Sequence, residues 1–131
     1  MIYEESVRTP ASQCFVDVTH LVAKAVKASG ITDGHILVSV PHTTAALTIN
    51  ENADPAVVSD MLRRLEQAFP THDPADRHAE GNSHAHVKSS LLGTCHSFIV
   101  SGGALVLGTW QGIYLCEFDG PRTRRLVVST G

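Results

Sequence analysis

The sequence predicts an α+β domain, and three observations carry that expectation. Strand-like runs outnumber helical ones, the last third of the chain reads as successive strands joined by tight turns, and helical periodicity is confined to three segments. Ile2 to Thr9 and Gln13 to Val18 read as strands joined by a turn at Pro10. Leu21, Val22, Ala25 and Val26 recur at helical spacing. They predict a helix that Thr19 caps and that ends near Ser29, with Gly30 as its stop. Gly34 opens a strand over His35 to Val40, closed by Pro41, and Ala45 to Ile49 is a further apolar run.

Asp54-Pro55 is a strong helix start, because the carboxylate can accept from the free first-turn amides and proline suits the first helical position. Val57, Val58, Met61, Leu62, Leu65, Ala68 and Phe69 form the apolar stripe of this helix, and Pro70 ends it. Residues 71–82 are rich in Pro, Asp, His, Gly and Asn and read as a loop, the kind of segment in which function often sits. Ser83 to Leu92 reads as a short helix stopped by Gly93. Thr94 to Ser101, Ala104 to Gly108, Gln111 to Phe118 and Arg124 to Ser129 read as strands, with Gly102-Gly103 a hairpin turn. No linker, repeat or charge block divides the chain, so residues 1–131 are expected to form one domain.

Composition excludes several classes. A net charge of -3, with the only basic cluster at Arg122, Arg124 and Arg125, argues against a nucleic-acid footprint, and those arginines read as a solvated strand edge. No stretch is apolar for long enough to span a bilayer, and the acidic start lacks a signal-peptide pattern, so a cytoplasmic protein with no membrane partner is expected. Three widely spaced cysteines read as free thiols. Cys14 and Cys116 look like small core residues, and adjacent strand positions would point Cys95 and His96 to opposite faces.

Eight histidines are many for this length. His20, His35, His72 and His96 have the surroundings of surface or internally satisfied imidazoles. His42, His78 and His86 lie at element ends beside Thr, Glu, Asn or Lys, and three imidazoles from separate segments would suit a divalent metal such as zinc. Capping and loop hydrogen bonds are the alternative for all three. His84 and His86 are two apart, so a helix would turn them to nearly opposite sides, and His86 is the better candidate. Glu51 and Glu117 are candidate acid–base carboxylates; Asp54 is better explained as a cap, and Asp60 and Glu66 as solvated. Lys88 and Arg122 could neutralise a phosphate, and the helix starts at Pro55 and Ser83 offer free amides to an anion. Trp110 could stack on a flat ring, although a core anchor is the commoner role for a lone tryptophan.

Taken together, His42-Thr43-Thr44, Asn50-Glu51-Asn52-Ala53-Asp54-Pro55, a loop histidine, Ala85-His86-Val87-Lys88-Ser89-Ser90-Leu91-Leu92-Gly93, Leu107-Gly108-Thr109-Trp110-Gln111-Gly112 and the arginines near the end resemble the YjbQ-like family, UPF0047. The resemblance implies a compact α+β domain similar to a β-sandwich, assembled as a homotrimer. It implies secondary thiamine-phosphate synthase activity, in which a hydroxymethylpyrimidine pyrophosphate joins a thiazole phosphate and pyrophosphate leaves. By motif match, His42, His78, His86, Lys88, Trp110, Gln111 and Glu117 would line a site, one that subunits could share.

The expectation is therefore a small metal-assisted enzyme acting on a phosphorylated small molecule. His42, Glu51, Lys88 and Glu117 would be its catalytic residues. Thr43, Asn50, Trp110, Gln111 and Arg122 would contact substrate, and His42, His78 and His86 would hold zinc or a similar ion, or magnesium brought in with the substrate. A metal-dependent hydrolase and a non-catalytic trimeric protein that binds a metal or an anion are the competing readings.

Overall fold

The computed structural model describes all 131 residues. Its elements are β1 (Ile2–Arg8), β2 (Cys14–Asp17), α1 (Thr19–Ser29), β3 (Gly34–Ser39), β4 (Ala45–Glu51), α2 (Pro55–Ala68), α3 (Ser83–Leu92), β5 (Cys95–Ser101), β6 (Ala104–Leu105), β7 (Gln111–Glu117) and β8 (Thr123–Ser129). The strands form two antiparallel sheets, one of five strands in the order β1-β8-β3-β5-β6 and one of three in the order β2-β7-β4. No helix is long and apolar enough to cross a membrane.

The period-2 pattern explains the layering. Val38, Leu126 and Val128 of the larger sheet, with Val40 just beyond β3, meet Leu47, Ile113 and Leu115 of the smaller one, and Val22 and Val26 of α1 close this main core. The other face of the smaller sheet carries Ala46, Tyr114, Cys116 and Phe118. It packs against Ala85 and Leu92 of α3 and Val58, Leu62 and Leu65 of α2. Strand β7 is thus buried on both faces, which is why its sequence reads as a continuous apolar run rather than an alternating one.

Local chemistry sets the helix ends. Asp54 accepts from the Ala56 amide at 2.9 Å, and Pro55 starts α2. Gly30 takes the left-handed conformation (φ 72°) that stops α1. Thr19 is not the cap of α1 but its first residue. Its hydroxyl donates to Asp17 (2.6 Å) and accepts from the Ile113 amide (2.9 Å), and Asp17 also accepts from the Thr19 amide (2.9 Å). The strand expected over Ala104 to Gly108 ends at Leu105. Beyond it the Gly108 amide donates to the Gln111 side chain (2.8 Å) and the Gln111 amide to the Gly108 carbonyl (3.1 Å), closing a turn in place of a ladder.

Candidate functional site

Strand β4 runs antiparallel to β7 with Ala45 opposite Glu117 and Glu51 opposite Gln111. Six residues at about 3.3 Å each separate these pairs, so the candidate residues divide between sheet ends roughly 20 Å apart. His42, Thr43, His78, His86 and Arg122 gather at the Glu117 end, in a groove between the segment before β4, the start of α3 and the turn after β7. Asn50, Glu51, Trp110 and Gln111 lie at the other end.

The groove has two adjoining halves, both walled by Thr43 and His86. One half, about 280 Å³, adds Thr44, His78, Glu80, Asn82, Asp119 and Arg122. The other, about 290 Å³, adds His42, Ser89, Ser90, Gly93 and Thr94. Neither has a hydrophobic lining residue. The His78 and His86 rings meet edge to face with centroids 5.6 Å apart. Arg122 donates to the Asp119 carbonyl (2.8 Å) and carboxylate (3.0 Å), and Asn82 donates to the same carboxylate (2.8 Å).

His42 is held differently. Its Nε2 accepts the Arg125 backbone N–H at 2.8 Å, so the ring proton resides on Nδ1. Burial pushes its pKa down. The Arg124 charge adds to this, Glu117 opposes it in part, and Arg125 and Arg122 add further. A neutral imidazole has one lone-pair nitrogen, and here that nitrogen is engaged. No group of three or more His, Cys, Asp or Glu side chains is arranged to hold a metal ion, and the three-imidazole centre expected from His42, His78 and His86 is not assembled within one chain. Only His78 and His86 are brought together.

Beneath the groove Glu117 is fully enclosed and paired with Arg124, which faces the core rather than forming part of a solvated edge. The Arg124 guanidinium reaches both carboxylate oxygens and also donates to Thr44 Oγ1 (2.9 Å). Thr9 Oγ1 donates to Glu117 at 2.7 Å and the Asp119 amide at 3.0 Å. Burial raises the Glu117 pKa, but Arg124, Thr9 and the Asp119 amide outweigh it and hold the carboxyl below its ordinary value. Gly120 lets the following turn lie over this pair, since a Cβ there would stand 2.4 Å from the Ala11 carbonyl oxygen and 2.8 Å from Glu117 Cγ.

Lys88 is likewise sealed from the groove, with no exposed surface. Its Nζ lies 2.9 Å from Glu66, 3.0 Å from Gln13 Oε1 and 2.8 Å from His84 Nδ1. Glu66 is therefore not a freely solvated charge. Burial opposes its ionisation, yet the Thr71 amide, Lys88 and the Thr71 and Gln13 side chains draw its pKa far down. His84 is pushed down by burial and then by the Lys88 charge; it is the buried partner of Lys88, whereas His86 walls the groove.

At the opposite end the polar motifs hold one another. The Asn52 amide donates to the Trp110 carbonyl (3.0 Å), and the Asn52 side chain donates to Asp17 (3.2 Å) while lying directly over Gly112. Asn50 Oδ1 accepts the neighbouring Glu51 amide at 2.7 Å, and the Glu51 carbonyl accepts from the Tyr114 hydroxyl at 3.0 Å. Trp110 is 62% exposed, neither a core anchor nor part of the groove. The polar groove residues to which sequence reasoning gave no role are Thr44, Glu80, Asn82, Ser89, Ser90, Thr94 and Asp119. A signal for two of them existed: Ser89 and Ser90 follow His86 at i+3 and i+4, the spacing that shares a helix face.

Residues 3–130 match the family described as UPF0047 protein YjbQ-like. The chain is 51% identical to UPF0047 protein YugU of Bacillus subtilis, over 98% of this chain and 97% of that protein. It is 44% identical to UPF0047 protein MJ1081 of Methanocaldococcus jannaschii, over 98% of this chain and 92% of that protein. Among solved structures, an uncharacterised conserved protein of the YjbQ/UPF0047 family from Clostridium acetobutylicum superimposes with a TM-score of 0.95 at 52% identity, covering 97% of this chain and 98% of that one. A protein of unknown function from Sulfolobus solfataricus gives 0.93 at 35% identity, covering 98% and 94%. The two antiparallel sheets and three helices are the fold of these structures, and the chain belongs to the YjbQ-like UPF0047 family.

Proposed function

We propose that the protein is a small enzyme acting on a phosphorylated small molecule in the groove between β4 and α3, with His86 as its acid–base group. The observation that carries this reading is the convergence of two imidazoles and Arg122 on a cleft without apolar lining, beside the start of α3. The first amides of a helix have no intrahelical acceptors and favour an anion, and Arg122, paired with Asp119 at 3.0 Å, would add its cation by turning from that carboxylate to the phosphate. His86 walls both halves of the groove, so a group bound across them would pass its ring.

The divalent ion expected from the histidines is kept in one form, as a cation entering with the substrate phosphate and reached by His78, which leaves the His86 lone pair free for acid–base work. His42 is left out because its lone pair is already engaged. Thiamine-phosphate synthesis is the named activity that the family resemblance implies, with pyrophosphate as leaving group. Hydrolysis of a phosphorylated substrate is the competing reading, and it needs only the groove described. Homotrimer formation, also implied by the family, finds support in the exposed Trp110, Val106 and Ile99. A cyclic trimer sets unlike faces against each other, which could bring the Trp110 end of one copy to the groove of the next.

The test is a product-resolved assay of the parent and His86→Ala, with magnesium, manganese or zinc supplied. The substrates are the hydroxymethylpyrimidine pyrophosphate and thiazole phosphate pair and a panel of phosphate monoesters. A loss of about 10²–10⁴-fold in His86→Ala, at unchanged thermal stability, is expected for a general acid–base group. Full activity in His86→Ala would remove the groove from the chemistry. Ligand-dependent stabilisation with no turnover on any substrate would favour the non-catalytic binding protein.

A further inference from the structure

The two halves of the groove differ in chemistry. The half at Arg122 carries all the formal charges, Glu80, Asp119 and Arg122. The half at Thr94 has neither carboxylate nor guanidinium, and four hydroxyls wall it, from Thr43, Ser89, Ser90 and Thr94. His42 adds a donor there, because its Nε2 is bonded to the Arg125 amide and its proton is on Nδ1. A flat aromatic ring would find no apolar face in this half, whereas groups that both donate and accept would find partners on several sides.

An independent observation concerns Ser89. It is 98% buried at the wall of this half, and its hydroxyl is out of contact with solvent and has no hydrogen-bond partner in the chain. Buried hydroxyls are normally bonded, and one left over beside a polar cavity marks a place where a partner is expected. Ser90, the next residue, is already committed, donating to the His86 carbonyl at 2.9 Å.

We infer that the Thr94 half is a second subsite for the hydroxyl-bearing part of the substrate, which is therefore a phosphorylated polyol or sugar; the pyrimidine and thiazole rings of thiamine-phosphate synthesis would leave this half unmatched, which favours hydrolysis of the two readings above. This rests on the phosphate reading of the Arg122 half. With the phosphate in one half and hydroxyls in the other, the bonds joining them lie beside His86 and Thr43. The volume of about 290 Å³ suits a small polar group and no more.

Titration calorimetry on the full chain tests this with inorganic phosphate, phenyl phosphate, ribose 5-phosphate and free ribose. Ribose 5-phosphate is expected to bind about tenfold more tightly than the first two, the gain that one or two well-made hydrogen bonds supply. Thr94→Val, nearly equal in volume, should remove that advantage and leave the affinity for inorganic phosphate unchanged. Ser90→Ala, at an exposed position, is the second variant should Thr94→Val lower the thermal midpoint. The inference is overturned if phenyl phosphate matches ribose 5-phosphate, or if the advantage survives both substitutions. Free ribose binding without inorganic phosphate binding would uphold the hydroxyl subsite and overturn the phosphate reading. Phosphate binding with no preference would do the reverse, and binding of none of the four would overturn both.

Discussion

The two ends of β7 carry similar densities of polar residues and use them in opposite ways. At the Gln111 end Asn52 bonds to Asp17 and to the Trp110 carbonyl, and Gln111 bonds to the Gly108 amide, so no buried side-chain polar atom is left without a partner there. At the Glu117 end the polar groups form two tiers. The lower tier, Glu117 with Arg124, Thr9 and Thr44, is closed and internally matched. The upper tier, His78, His86, Asn82 and Ser89, is only partly matched, and both of the buried side-chain atoms without partners, Asn82 Oδ1 and Ser89 Oγ, belong to residues that wall the groove. Polar density alone thus does not distinguish the two ends; unmatched buried polar atoms do.

The sharpest way to break this comparison is at the lower tier. Arg124→Met leaves the Glu117 carboxylate buried without its cation and should cost about 3–5 kcal/mol, read as a lower urea midpoint at unchanged slope. A cost below about 1 kcal/mol would mean that the pair is not structural and would return Glu117 to the list of groups free for chemistry. At the other end, Gly112→Ala places a methyl 2.5 Å from the Asn52 amide nitrogen. It should destabilise by about 1–3 kcal/mol through overpacking, with turnover per folded molecule retained. Loss of turnover in a still-folded Gly112→Ala would show that the Gln111 end takes part in the site, as a trimer could arrange. Trp110→Ala has the smallest expected effect on a single subunit, within about 0.5 kcal/mol for an exposed position. Sedimentation should nevertheless show weaker association if Trp110 sits in a subunit contact, and an unchanged assembly would exclude it.

The fold was largely legible from periodicity. The 3.6-residue recurrence in α1 and α2, the Asp54-Pro55 start and the Gly30 stop all produce the elements they predict. What periodicity could not convey was the second layer. In α3 the packed face is Ala85, Lys88, Ser89 and Leu92, so a lysine occupies an inward position because Glu66, Gln13 and His84 meet it there. Those partners lie up to 75 residues away in sequence, and their convergence has no local signature. Arg124 was misread for the same reason: its alternation with Thr123 and Arg125 looks like an exposed edge until Glu117 is found opposite. Of the residues singled out, His42, His78 and His86 meet at the groove because the segment before β4, the loop before α3 and the first turn of α3 converge there. Asn50, Glu51, Trp110 and Gln111 lie at the other end of β7, where the Gly108–Gln111 turn and the close approach of Asn52 to Gly112 constrain the motif.

The enclosure of Lys88 also gives the molecule a built-in reporter. The chain has three lysines, Lys24, Lys27 and Lys88, and the first two lie on the exposed side of α1. An amine-acylating reagent applied to the folded protein therefore meets two lysine side chains and the terminal amine, while Lys88 becomes reactive only when α2, α3 and the residues between them separate. The mass increment at that one side chain acts as a clock for opening of the helical layer, and it can be read without a substrate, a metal or an assigned reaction.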